Sequence, residues 1–529
     1  QENAAVPSLT IRPADPAEKA DGTLSPAAKA AIEHGPLPFS DATAAAKAAA
    51  NRAREEAEKS GASHPFRPGE LAPTGGAMPG SLAPVTVGGI NKPGLLPSCC
   101  SPPDTTGAIG PSSFVQLVNV TAGIFNRTTG ALIGSGTLDQ LANISSSVIS
   151  FDPQIIWDPT TNRFYYLMDS IFSSSDNRLS FGFSKTSAPS NVTTDWCHYT
   201  FSFGTRFADY PKLGESQFFA IVGVNSFVGN SFVGSDLFAV SKPPAGTACP
   251  AASTFKAGEK LNLVDSGGQQ VFTPVPGNEI DAYATGYVVA ENGALPSTKL
   301  WFFNVTKAAT GFPIFGPARG VTVASYTFPP DASQPVFTQL LATLDARNTQ
   351  AVAGVDIRLG KQVFWTQHTI ASGTVSAVRF YEIDPVPATP VVLRSGNIAS
   401  PNSFLFNAAI SPDRRHDGTI TAFGNSFVIE FNVSSKVNTI NPRIVAGSSV
   451  NGGALSFLLV KDGVGPYRDF TCVPAFSSCR WGDYSAATPD PRPIITTRGV
   501  VWGTNEFSGV VAPPPGGVNW RTQFFALEP

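Results

Sequence analysis

The sequence predicts an all-β chain folded as a seven-bladed β-propeller, preceded by an Ala/Pro-rich, partly helical N-terminal segment. Three observations predict it. Of 529 residues, 38 are Phe, 49 Gly, 46 Pro and only 2 Met, and charged residues make up 14%. That balance suits short aromatic strands joined by tight turns better than long amphipathic helices. Strand-like runs then recur from Pro102 onwards at broadly similar spacing, many opening on an acidic residue beside Pro or Tyr: Asp152-Pro153, Asp209-Tyr210-Pro211-Lys212, Pro412-Asp413. Finally, Arg480-Trp481-Gly482-Asp483-Tyr484-Ser485 near the end has a counterpart in Pro102-Pro103-Asp104-Thr105-Thr106-Gly107-Ala108-Ile109-Gly110-Pro111, each setting one Asp among small and turn-forming residues. Recurrence of this kind marks a repeat architecture, whose small sheets bury both faces only by stacking on one another.

Taken in order, residues 1–95 are rich in Ala, Pro, Glu and Lys and poor in large apolar side chains, too poor to offset their own ordering entropy. They read as a leader, pro-segment or docking arm with one short helix, Ala44 to Lys59, capped by Asp41 and stopped at Gly61. Residues 96–529 read as the propeller. Its first unit offers strands at Phe114 to Val120 and Ala122 to Asn126, with a turn at Arg127-Thr128-Thr129-Gly130. The second offers Pro153 to Trp157, Arg163 to Met168, Leu179 to Ser184 and Cys197 to Phe203. Later units span about 209–257, 270–323, 336–395, 404–447 and 479–527, each near 60 residues and longer than the roughly 40–50 of familiar propeller repeats. Six or eight blades are the alternative counts. A β-sandwich fits the long uninterrupted run of strands less well, and a β-helix lacks its short repeat.

Three ordered segments carry a family resemblance: Pro102 to Pro111, Asp209-Tyr210-Pro211-Lys212-Leu213-Gly214, and Arg480 to Ser485. The chain resembles a family of secreted bacterial β-propeller proteins, largely uncharacterised, over about residues 100–527. The resemblance implies the fold and export. It carries no activity, because function resides in the site and one fold hosts many.

Composition also excludes partners. A net charge of −3 offers no basic footprint for nucleic acid or an anionic membrane, and no run of about 18 apolar residues is present to span a bilayer. A chain beginning at Gln1 is the expected look of a secreted, extracellular protein after signal-peptide removal, though a trimmed chain looks the same. Six cysteines without CxxC or zinc spacing point to disulfides. Of the 15 possible connectivities, local pairing prefers Cys472 with Cys479, Cys197 with Cys249, and Cys99 with its neighbour Cys100. Sequons at Asn119, Asn126, Asn143, Asn191, Asn304 and Asn432 permit glycosylation and do not require it.

Candidate chemistry follows from the architecture. The innermost strand of each blade lines the axis, so Asp104, Asp152 and Asp483 are candidate ligands of a structural calcium ion, which takes six to eight oxygens. Converging carboxylates otherwise repel unless an arginine intervenes. Asp209, Tyr210, Lys212, Trp481 and Tyr484 are candidate ligand-binding residues at a channel mouth, although aromatics at strand positions are more often core. Asp413, Arg414, Arg415 and His416 form the densest polar cluster of the β region, with the imidazole as a candidate general base and the arginines as partners of a substrate carboxylate. A solvated turn is the bland alternative. Glu279 and Asp281 are a candidate carboxylate pair on one strand face, at the spacing glycoside hydrolysis needs. No GxSxG elbow, GxGxxG or P-loop is present. The sequence therefore leads to a propeller that binds an extracellular glycan or surface polymer, or, alternatively, to a polysaccharide lyase or hydrolase working at the same mouth.

Overall fold

The computed structural model describes residues 9–61, 70–71, 84–97, 99–414, 424–472, 478–492, 498–510 and 517–529. Seven antiparallel sheets follow one another along the chain: blade 1 at 106–137, blade 2 at 149–204, blade 3 at 207–260, blade 4 at 271–326, blade 5 at 348–398, blade 6 at 404–461 and blade 7 at 486–528. Their innermost strands are Thr106–Ile109, Ile149–Asp158, Phe207–Glu215, Val271–Pro276, Asn348–Asp356, Phe404–Pro412 and Ala486–Pro489. Each packs on the next, and the last packs on the first. The ring is thus a closed seven-bladed propeller.

Closure uses a strand that the sequence reading had placed in the leader. Val85–Pro93 pairs antiparallel with Trp520–Glu528 as the outermost strand of blade 7, so the domain break at 95/96 cuts through a blade. Gly88 and Gly89 both lie at positive φ, and the register shifts between Thr86 and Asn91. That glycine bulge breaks the alternation by which a strand is read. At the seam between blades 7 and 1, Phe114 stacks on Phe524 and Trp502 at centroid distances of 5.0 and 5.5 Å. All seven tryptophans are buried, as expected of core aromatics.

One local device recurs on the innermost strands. Asp152, Tyr210, Thr273 and Asn407 each adopt φ between 49° and 57°, and each starts a two-residue bulge opposite a single partner residue. Three of the four are followed by proline, whose missing N–H costs nothing where the ladder is interrupted. The Asp-Pro and Tyr-Pro pairs that announced the repeat are therefore bulge markers. Asn119 beyond the second strand of blade 1 accepts from the Asp152 N–H at 2.9 Å, and Asn225 of blade 3 accepts from the Thr273 N–H at 2.8 Å. Two of the four bulges are thus clasped by the preceding blade.

The three disulfides are Cys99–Cys100, Cys197–Cys249 and Cys472–Cys479, the locally preferred set. Asn432, a sequon asparagine, is fully buried and donates to the Glu506 carbonyl, so the fold leaves it no room for a glycan.

The N-terminal segment holds two helices where one was expected: α1, Pro26–His34, and α2, Asp41–Ser60. Ser25 and Ser40 are the N-caps, and Gly61 ends α2 in the left-handed region. Asp41 sits one position inside, where its charge meets the helix N-terminus. The Ala-rich surface of α1 is shallow but matched. Ala27, Ala28, Ala31 and Leu37 pack against Phe151, Ile171, Phe207, Phe227 and Phe272 of blades 2 to 4. The segment is docked on the propeller as an arm.

Candidate functional site at the axial mouth

The innermost strands run in one direction, so residues at their N-terminal ends gather at one mouth of the axis. Asp104, Asp152, Asp209 and Asp483 all lie there and all are buried. Asp104 accepts the Asp483 N–H at 2.8 Å and the Asn119 carboxamide at 2.6 Å. Asp152 accepts the Tyr484 hydroxyl at 2.7 Å, and the Tyr210 hydroxyl donates to the Asp483 carbonyl at 2.8 Å. The Tyr210 and Tyr484 rings stack with centroids 4.8 Å apart, and the Lys212 ammonium lies 4.1 and 3.8 Å from them.

Arginines supply the counter-charge. Arg480 donates to Asp483 at 2.6 Å, and Arg347 is paired with Asp345 at 2.7 Å while its guanidinium covers the Tyr210 ring at 4.5 Å. Burial pushes Asp152 up to about 7, with repulsion from Asp483 adding to it. Burial likewise pushes Asp209 up to about 7, against the pull of Arg347. Asp104 is raised well above the aspartate range by burial and by its neighbours Asp483 and Asp152. Burial drives the Lys212 ammonium well down, opposed by Asp152. Such a concentration of shifted groups marks a functional-site candidate. Among the described residues no group of three or more His, Cys, Asp or Glu side chains is placed to hold a metal ion. At Asp104, Asp152 and Asp483, expected as calcium ligands, the carboxylates are occupied by an amide, a hydroxyl and a guanidinium.

The arm closes this mouth. Arg480 donates to the carbonyls of Ala31 and Ile32 at 2.8 and 3.0 Å, the Leu37 N–H donates to Asp209 at 3.1 Å, and Arg347 donates to the Leu37 carbonyl at 3.3 Å. From α2, Lys47 pairs with Asp331 at 2.7 Å and also reaches the carbonyls of Pro329 and Leu344, while Asn51 donates to Asp331 at 2.8 Å. Between arm and mouth lies a chamber of about 400 Å³. Its lining includes Pro36, Lys47, Asp345, Arg347, Arg480 and Asp483.

The catalytic candidates lie elsewhere. Asp413 follows the C-terminal end of the innermost strand of blade 6, is buried, and accepts the N–H groups of Gly424 and Ser426 at 2.8 and 3.2 Å. Burial raises it to about 6, with those amides opposing. Arg414 is fully buried and paired with Asp281 at 2.6 Å. Asp281 also accepts the Val355 N–H at 2.6 Å. Glu279 accepts from Gln362 at 2.8 Å and is pushed by burial to about 8. The expected shared strand face is corrected: the strand holding Glu279 is only Asn278–Glu279, paired parallel with Val352–Ala353, and Asp281 lies past its end. Among the described residues Glu279, Asp281 and Arg414 form one buried hydrogen-bonded network, and Asp413 is bonded to the amides of its own loop. Arg415 and His416 lie outside the described residues. Trp481 is buried with its indole N–H on Asn432 at 2.8 Å, and Tyr210 and Tyr484 are buried too, so none offers a free ring face to a sugar.

Reading the sequence missed Arg347, Asp345, Lys47 and Asp331 altogether, because no repeat or motif position marks them. Arg480 was visible as the first residue of its motif. His198 and His368 are packed histidines, hydrogen-bonded to Tyr166 and Thr193 and to Ala346 and Tyr381, respectively. Burial lowers them to about 4 and about 3, respectively.

No protein-family model matches the chain, and no curated protein matches it either. Similar solved structures include an exo-β-1,3-galactanase from Clostridium thermocellum, at TM-score 0.31 and 8% identity over 67% of this chain and 84% of that one. They also include a Synechocystis apocarotenoid oxygenase mutant, at TM-score 0.30 and 10% identity over 79% and 74%. A third is a subtype N11 neuraminidase-like protein of A/flat-faced bat/Peru/033/2010, at TM-score 0.33 and 10% identity over 71% and 99%. Likeness at this level carries no argument about what the chain does.

Proposed function

We propose that this protein is a secreted β-propeller that binds an extracellular ligand, a glycan or surface polymer, at the arm-covered mouth of its axis. The observation that carries this reading is that Arg480, Arg347 and Asp209 spend hydrogen bonds on the main chain of the arm beside a chamber of about 400 Å³. The chamber brings paired donors and acceptors together: Lys47 with Asp331, Arg347 with Asp345, Arg480 with Asp483. Sugar hydroxyls, which donate and accept at once, match such pairs. Its size falls within the range of small-ligand pockets, roughly 300–1,000 Å³. Three disulfides and the absence, among the described residues, of a helix long and apolar enough to cross a membrane support an extracellular setting.

A second reading, a polysaccharide-degrading enzyme, is favoured by Asp152 and Asp209. Two carboxyls poised near pH 7 at this mouth are suited to proton transfer, and the arm would have to lift before they met substrate. One experiment tests both. Purified protein is titrated calorimetrically with a panel of neutral and acidic polysaccharides, and each mixture is assayed for new reducing ends and unsaturated uronates. Binding without product supports the first reading, and product supports the second. Binding to none of the panel by wild type, or binding unaltered in Arg347→Met, overturns the mouth as the site.

A further inference from the structure

Below the stacked tyrosines the innermost strands enclose a small cavity on the axis, about 30 Å³ in volume. A water-sized species needs roughly 10–15 Å³ by this measure, so the cavity has room for about two. Its lining includes Lys212, Asn278, Gln154, Gln350, Thr349 and Thr488, and neither Asp nor Glu. Lys212 is 2% exposed, and its ammonium meets two tyrosine faces without a hydrogen-bond acceptor among the described residues. Asn278 is 3% exposed, with both Oδ1 and Nδ2 unpartnered, and the Thr488 hydroxyl is buried and unpartnered as well. A buried amide or hydroxyl left without a partner costs on the order of 1–3 kcal/mol, and a buried charge more. Two unpartnered side chains, Asn278 and Thr488, beside a buried lysine at one small space point to an occupant. Asp152, Asp483 and Asp104 act on Lys212 from outside the lining, and none accepts a hydrogen bond from it.

We propose that this axial cavity is a binding site for a small monovalent anion, a halide such as chloride, held by the Lys212 ammonium, the Asn278 amide and the Thr488 hydroxyl. All three can donate. The only ionisable side chain of the lining is Lys212, which in its ammonium form favours an anion over a cation, and an anion beside it would in turn favour that form. The volume excludes sulfate-sized or larger organic anions held with their own hydration. This site is separate from the ligand chamber, and its existence does not depend on the glycan reading.

The test uses the intact chain. Thermal melts are recorded in sodium gluconate while chloride or bromide replaces gluconate at constant ionic strength, and crystals grown in bromide are searched for an anomalous peak on the axis. The expected result is a melting temperature that rises with halide and saturates, together with a bromide peak in contact with Lys212 Nζ. Lys212→Met and the near-isosteric Asn278→Asp, which adds a repelling carboxylate, should each abolish the halide response. If either variant fails to fold, the other and the anomalous map still decide. Water only on the axis of wild-type crystals, or a halide response retained in the variants, overturns the proposal.

Discussion

Asp152→Asn isolates the electrostatic cost of the mouth. Asp152 is buried and pushed from 3.8 to about 7, chiefly by that burial and next by Asp483. Its pKa in the folded state therefore lies above that in the unfolded chain, so the native state binds the extra proton between those values. Stability must then fall as pH climbs through that interval and level off above it. The span of 7 − 3.8 is about 3 units, and at ~1.36 kcal/mol per unit the group costs about 4 kcal/mol at pH 8 relative to pH 4. That is a large share of a typical total of roughly 5–15 kcal/mol. Asparagine keeps the shape and can still accept the Tyr484 hydroxyl, but it cannot ionise. The stability of the variant relative to wild type should rise by about 3 kcal/mol between pH 4.5 and pH 8, since about 1 of the ~4 kcal/mol is already lost by wild type at pH 4.5. Guanidinium unfolding with disulfides intact, followed by the fluorescence of the buried tryptophans at pH 4.5, 6 and 8, measures the difference. An equal loss of stability at every pH would refute the reasoning, because it would mean that Asp152 is ionised and that its cationic neighbours outweigh burial.

Lys47→Met leaves the buried Asp331 without its cation, so amide exchange in α2 should quicken about a hundredfold, the lower end of the roughly 3–5 kcal/mol for breaking a buried pair. Unchanged exchange would detach that pair from arm docking. Burial works against the Asp331 charge, yet Lys47 and its hydrogen bonds hold its pKa below the ordinary 3.8. That contribution is present above the unfolded value and lost as pH falls through the folded one. Wild-type α2 should therefore loosen on acidification below about pH 4. Gly482→Ala sets a Cβ 2.0 Å from Glu506 Oε1, which Asn407 pins at 2.6 Å. An overpacking loss of about 1–3 kcal/mol should appear in the melt, and an unshifted melt counts against that close approach. Thiol labelling of denatured, unreduced protein should modify no cysteine, and modification of two or more would contradict the three disulfides.

The fold was legible because its signals are local. Aromatic alternation, turn residues and the Asp-Pro or Tyr-Pro bulge pairs all act within a few residues, and the predicted units near 209–257, 270–323 and 404–447 overlap blades 3, 4 and 6 closely. The closing strand was not legible, since Gly88 and Gly89 interrupt the pattern that would identify it. The site was half legible. Its aspartates and tyrosines stand in motifs, whereas their partners come from the arm and from the linker between blades 4 and 5. Arg480 meets Ala31 across 449 residues, and Lys47 meets Pro329 across 282. No spacing rule reaches that far. Glu279, Asp281, Asp413 and Arg414 are buried for a reason the sequence does not reveal: strongly polar clusters in a sequence mark buried ion pairs as readily as catalytic ones.

The three motif segments acquire one physical meaning in the folded chain. Asp104 of the first accepts the N–H of Asp483 of the last, 379 residues away, and Tyr210 of the second donates to the Asp483 carbonyl, 273 residues away. The bonds that join the two ends of the ring are therefore the same bonds that shape the mouth. Arg480 links that clasp to the arm through Ala31 and Ile32. If the proposed ligand seats against Arg480 and Asp483 and binds only the closed form, it stabilises the whole propeller by RT ln(1 + [L]/Kd), about 2.7 kcal/mol at a hundredfold excess over Kd. Saturating ligand should accordingly raise the single global melting transition. A ligand that protected only the arm from exchange and left the global melt in place would show that mouth and ring closure are uncoupled.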